Sequence, residues 1–173
     1  MAQLGAGDDR FVWNPGDGSD TIEGQGGSDT MQFNGANVSE KIDISANGER
    51  VRFTRDVASI TMDLNDVEHI NFKALGGTDN INVRDLSGTD VKEVAIDLAD
   101  STGVPDAQKD QVTLEGTLGD DIVSLTQSGT ATTVNGLAAQ LSLDHADAGL
   151  DVLAINSGAG DDVIDASDRK SVV

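Results

Sequence analysis

Aspartates set in glycine turns recur along this chain. Asp9, Asp20 and Asp29 each follow a glycine by two residues (Gly7, Gly18, Gly27) and precede a large apolar residue by two (Phe11, Ile22, Met31). Segments 18–24, GSDTIEG, and 27–33, GSDTMQF, stand head to tail with their aspartates nine residues apart. Segment 4–12, LGAGDDRFV, repeats the unit ahead of an insertion at Trp13 and Asn14. Glycine permits a tight turn with exposed carbonyl oxygens, and aspartate adds a carboxylate to the same space. An all-oxygen set of this kind suits a hard cation, since calcium takes about six to eight oxygens and mixes carboxylates with main-chain carbonyls. Turns without any ligand use the same residues.

The turn returns in three segments that align without gaps: 69–83, HINFKALGGTDNINV; 111–125, QVTLEGTLGDDIVSL; and 152–166, VLAINSGAGDDVIDA. Their aspartates, Asp79, Asp121 and Asp162, follow Gly77, Gly119 and Gly160 and lie 42 and 41 residues apart. Apolar residues flank each turn in alternation, as Ile70, Phe72, Ile81 and Val83 do in the first copy. No second nonapeptide follows any of these turns. Were the copies to share one column, an intervening coil would separate them, and Asp97, Asp100 or Asp144 would have to supply a neighbouring ligand.

The elements that must hold these turns are strands. Alternation at Ile42/Ile44, Val51/Phe53, Ile60/Met62/Leu64, Val94/Ile96/Leu98 and Leu141/Leu143 predicts half-buried β-structure. Asn47-Gly48 is a turn, of a hairpin or of a solenoid corner. The helix-compatible runs, 137–140 and 145–150, are short, and Pro105 marks a surface loop. Fixed-period self-similarity with one apolar ladder per copy predicts stacked coils. The expected fold is all-β, a right-handed parallel β-roll or β-helix solenoid. It forms a single domain over 1–173, with a nonapeptide roll at 1–33 and wider coils with repeats of about 42 residues at 34–173.

Composition restricts the partners. The 173 residues carry 31 Asp and Glu against 11 Lys and Arg, a formal charge of −20, with aromatics at 3%. That many carboxylates imply either disorder or counter-cations. Nucleic acid and anionic membrane surfaces are excluded as partners by the same charge. No apolar run approaches the roughly 20 residues of a spanning helix, so no membrane insertion is expected. The N-terminus lacks a signal-peptide layout, and Met1-Ala2 reads as the start of a segment of a longer protein. Without cysteine there is neither a disulfide framework nor a thiolate metal site.

The nonapeptides of 4–33, and more loosely the repeats of 69–166, are similar to those of the hemolysin-type (RTX) calcium-binding repeat proteins. The resemblance implies a calcium-binding, non-enzymatic structural module of a secreted bacterial protein, extracellular or at the cell surface. Its partners would be calcium ions and neighbouring repeats of a longer parent chain, and it would be monomeric or associate end to end. In that family ions sit between turns on one edge, shared by aspartates of alternate nonapeptides. Carried over, Asp9 and Asp29 flank one ion with carbonyls from around Gly5 to Gly7 and Gly24 to Gly27, while Asp20, with Gly18, faces the opposite edge and lacks a partner. Asp79, Asp121 and Asp162 are further candidate ligands. Folding would then couple to calcium, the chain staying loose where the ion is scarce and locking where it is millimolar. Such segments resemble substrates of type I secretion, whose signal is C-terminal, and the end here, DRKSVV, does not establish one.

Other residues carry less. His69 and His145 lack zinc-ligand spacing and read as solvent-facing strand histidines. Arg50, Arg52 and Arg55 read as a solvated face pairing with acids. Trp13, the single tryptophan, is expected in the core or at a cap. No activated nucleophile is visible. A carbohydrate-active β-helix of lyase or epimerase type would need aromatics in a groove, and an adhesion face would need threonine rows. Neither pattern is present.

Overall fold

The computed structural model describes residues 1–168; most of the DRKSVV end lies outside the described residues. The protein is all-β, and among the described residues there is no α-helix. The chain alternates between two eight-stranded sheets. The first contains, in spatial order, β1 (Ala2–Ala6), β3 (Thr21–Gly26), β7 (Ile60–Asn65), β6 (Arg50–Arg55), β5 (Lys41–Asn47), β9 (Asn80–Val83), β11 (Gln111–Glu115) and β15 (Val152–Asn156). The second runs β2 (Arg10–Trp13), β4 (Thr30–Asn34), β8 (His69–Leu75), β10 (Glu93–Asp100), β14 (Gln140–Asp144), β13 (Ala131–Asn135), β12 (Ile122–Ser128) and β16 (Val163–Asp165). Each sheet is mixed and open at both ends. Within them only β6 and β13 pair antiparallel with both neighbours.

A strand of the first sheet and the next strand of the second form one tier. Inward positions of successive tiers stack in register, for example Ile42 beside Ile81, which lies beside Val112, which lies beside Leu153. The period-2 alternation read from the sequence is this inward set, because successive side chains of a strand point to opposite faces. It fills one core shared by both sheets. At its densest point Trp13 and Phe33 stack with centroids 4.0 Å apart and planes 3° apart, and Phe53 lies 4.4 Å from Phe33.

Two meanders break the simple tier order. After β4 the chain crosses to β5, leaving two strand places open beyond β3, then folds back through β6 and β7 to fill them before returning to β8. The passage from β11 repeats the manoeuvre in the other sheet, through β12, β13 and β14. The first reversal is a hairpin whose two-residue loop is Gly48-Glu49: Asn47, the last residue of β5, pairs with Arg50 across it, and Gly48 takes φ +70°.

The meanders also re-sort the 42-residue copies. They are β8–β9, β11–β12 and β15–β16, but the first passes from second sheet to first and the other two from first to second. Asp79 therefore lies on the opposite edge from Asp121 and Asp162. No coil separates these last two, because the residues between them fold back into β13 and β14, leaving β12 directly beside β16.

Candidate cation-binding edges

Every passage between sheets makes a turn, and the turns fall on two edges. Asp9, Asp29, Glu68, Asp121 and Asp162 precede strands of the second sheet and lie on the first edge. Asp20, Glu40, Asp79, Asp110 and Asp151 lie on the other.

A two-way hydrogen-bond pattern links consecutive turns. The acid of the later tier accepts the main-chain N–H of the acid before it. The first edge shows Asp9 N–H to Asp29 Oδ1 at 2.9 Å, Asp29 N–H to Glu68 Oε2 at 2.7 Å and Asp121 N–H to Asp162 Oδ1 at 2.9 Å. On the second edge the series is Glu40 to Asp79 (2.8 Å), Asp79 to Asp110 (2.7 Å) and Asp110 to Asp151 (2.8 Å). Before Asp29, Asp79 and Asp162 the preceding residue bonds the other way: Ser28 N–H donates to Asp8 Oδ1, Thr78 N–H to Ser39 Oγ and Asp161 N–H to Asp120 Oδ1. Beside Asp20, where the adjoining strand is β7, Thr61 N–H donates to Ser19 Oγ. Turn amides that would otherwise be left without partners are satisfied this way.

Asp29 is 1% exposed, and while Oδ1 takes the Asp9 amide, Oδ2 accepts no hydrogen bond. Five residues earlier Gly24 leaves a cradle. A Cβ there would stand 2.6 Å from Asp29 Oδ2 and would collide with the Asp66 carbonyl oxygen. The same spacing recurs at Gly35 and Glu40, where the missing Cβ faces Glu40 Oε2 and, at 2.8 and 2.9 Å, the carbonyls of Ala74 and Lys73. It recurs again at Gly116 and Asp121, with the Ser157 carbonyl at 2.6 Å. Buried carboxylate oxygens facing carbonyls across a glycine are an oxygen-rich environment of the kind calcium takes. The three copies differ in what holds the carboxylate. Glu40 is buried against Arg55, which is itself buried and stands 5.6 Å above the Trp13 ring. Asp121 receives Thr117 N–H on Oδ2 and Thr117 Oγ–H on Oδ1.

The second edge crowds like charges. Burial, reinforced by Asp110, Glu40 and Asp106, pushes the Asp79 carboxyl up to about 8, against the Glu40 amide hydrogen bond that lowers it. Burial, with Asp151, Asp106 and Asp147, pushes Asp110 up to about 6. Asp79 Oδ2, like Asp29 Oδ2, is buried and accepts no hydrogen bond. Burial also raises Glu40 and Asp151, with the Arg55 guanidinium pulling Glu40 back.

The structure brings Asp9 and Asp29 together on one edge, through the main chain of Asp9 rather than its carboxylate. Gly7 N–H bonds the Gly26 carbonyl at 2.7 Å, Gly5 pairs with Gln25, and Gly27 lies so close to the Gly7 carbonyl that a Cβ would collide with it. Gly18 turns its carbonyl to the Trp13 indole N–H at 2.6 Å. Asp20 stands on the opposite edge beside the N-terminal amine at 3.5 Å, and the adjoining strand β7 brings no acid turn to it. Asp97 and Asp144 do not adjoin Asp79, since Asp97 Oδ1 instead binds His145 Nδ1 at 2.8 Å. Asp100 caps its own loop through the Thr102 amide.

Sequence reasoning missed Glu40, Glu68, Asp110 and Asp151. The available signal was an acid one residue before a strand, preceded in Ser39-Glu40 by a hydroxyl as in Ser28-Asp29 and Thr78-Asp79. Arg55 is 4% exposed, not solvated, because it shares the inward parity of Val51 and Phe53. Arg50 does pair with acids, Asp63 at 2.7 Å and Glu23 at 3.0 Å. His69 bridges Glu93 and Ser28.

Among the described residues no three His, Asp or Glu side chains form a metal cage, so any ion held here would draw its ligands largely from carbonyls. No protein-family model, curated protein or solved structure matches the chain.

Proposed function

We propose that this chain is a calcium-binding structural module of the RTX type, built as a parallel β-roll or β-helix solenoid interrupted by two meanders, and that it works outside the cell. The observation that carries the reading is the buried Asp29 Oδ2, which lacks a hydrogen-bond donor and shares the Gly24 cradle with the Asp66 carbonyl. Asp29 and the carbonyls around it would hold the ion, and the ion would supply the positive charge that this buried carboxylate otherwise lacks. Burying an uncompensated carboxylate costs several kcal/mol, so an ion bound to the folded state alone adds that much reason to fold. Asp121, already bound by Thr117, contributes less.

The chain's own residues do the rest. The two-way bonds fix the spacing of turns, and the glycines admit carbonyls where a side chain would stand. A role in supporting structure, with no chemistry performed, follows from this reading.

The test is a calcium titration of chelated protein followed by calorimetry and far-UV circular dichroism. Saturable heat and a gain of β-signal are expected. Absence of any heat up to millimolar calcium, in a protein already folded, would sink the proposal.

A further inference from the structure

We propose that the protein associates head to tail with a second copy of itself, the β15–β16 end of one chain stacking on the β1–β2 end of the next. The first observation is direction. Tracing the pairings through each sheet, β15 runs the same way as β1 and β16 the same way as β2, since each sheet contains one strand that reverses against both neighbours. A second copy placed end on would continue both sheets as parallel ladders.

The core lies open where that copy would sit. Ile164 lies in register with the fully buried Val123, yet it is 45% exposed, and Leu153 and Ile155 are only partly covered. At the other end Leu4 and Phe11 are likewise partly buried against the core.

The seam also matches in register. Seven residues separate the inward position from the edge aspartate in Ala2–Asp9, Ile22–Asp29, Leu114–Asp121 and Ile155–Asp162. The two-way bonds are left open in complementary halves. Among the described residues, the Asp162 amide and the Asp161 carboxylate at one end lack hydrogen-bond partners, as do the Asp9 carboxylate and the Asp8 amide at the other. Asp162 N–H would donate to Asp9 of the second copy, and that copy's Asp8 N–H to Asp161. The joint between β12 and β16 already stacks Asp120-Asp121 on Asp161-Asp162 through these same two bonds, so four carboxylates at such a seam are tolerated within the chain. Two different ends meeting make a heterologous contact, which extends instead of closing.

End-blocked variants test this. In millimolar calcium, light scattering coupled to gel filtration should show the unmodified chain growing beyond its 17.9 kDa monomer as concentration rises. Ile164→Lys blocks one end and Leu4→Lys the other, with Ala2→Lys as a second block there should Leu4→Lys disturb the β-signal. Each blocked chain alone should remain monomeric. A mixture of the two should give one-to-one dimers that grow no further, a twofold rise in mass. An unmodified chain that stays monomeric at every concentration would overturn the proposal. So would dimers formed by a single blocked variant alone.

Discussion

Thr117 holds both oxygens of Asp121, its amide on Oδ2 at 2.8 Å and its hydroxyl on Oδ1 at 3.0 Å, whereas the Asp29 carboxylate keeps one buried oxygen without a donor. Two turns with the same glycine cradle thus differ in what they can still accept. Asp29→Asn should raise the calcium midpoint by about tenfold or more, about 1.4 kcal/mol of binding. Asp121→Asn and Asp162→Asn should shift it less. Calorimetric titrations of the three variants decide this, and equal shifts would mean that the Thr117 contact does not discriminate.

Gly24 and Gly26 lie two residues apart at the end of β3, and a Cβ would meet Asp66 and Asp29 at the first but nothing at the second. Gly24→Ala should therefore destabilise the protein by about 1–3 kcal/mol through overpacking, and calcium should no longer restore it. Gly26→Ala should be close to neutral. Urea melts with and without calcium read both effects.

The raised carboxyls of the second edge set a pH dependence for calcium-free protein. Asp79 titrates at about 8 when folded against an ordinary 3.8, so between those values the folded state binds more protons than the unfolded state. Stability then falls as pH rises through this window, from about 4 to about 8, with Asp110 adding its share up to about 6. Thermal melts in chelator should show a lower Tm at pH 8 than at pH 5, and Asp79→Asn should flatten the slope. A Tm that rises over that range would contradict the assignment.

Arg55 and Glu40 are paired beneath Trp13, both nearly inaccessible. Arg55→Ala strips the partner from a buried carboxylate and should cost about 3–5 kcal/mol. The double replacement Glu40→Gln with Arg55→Met should recover much of that loss, since it leaves no buried charge. Chemical denaturation of the single and double variants measures the coupling.

Strand positions and turn residues were readable because alternation and Gly-x-Asp spacing are local properties. Ile42, Val51, Phe53 and Leu64 all point inward as their parity requires. Parity alone also marks Arg55 as inward, a reading that its charge obscures. Strand direction is a different matter, since an alternating pattern reads the same forwards and backwards. Nothing local in 50–55 or 131–135 distinguishes the reversed strands β6 and β13 from their parallel neighbours. The edge assignment of Asp79 failed to emerge for a related reason: strand, acid turn and strand look alike whichever sheet comes first. The carbonyl partners Asp66, Ala74 and Ser157 belong to other tiers, and only the folded register reveals them.

The backfilled meanders carry a kinetic consequence. A chain that zipped up one tier after another as it emerged would stall at β5, whose place is separated from the growing edge by two strands not yet laid down. β3 gains its neighbour β7 only once residue 65 is available, and β10 gains β14 only with residue 144. Between those points nucleation must occur in blocks, each closing around a hairpin. Vectorial assembly from one terminus is therefore built in two strides with a halt in each, and pulsed hydrogen exchange would record β5, β6 and β7 becoming protected together.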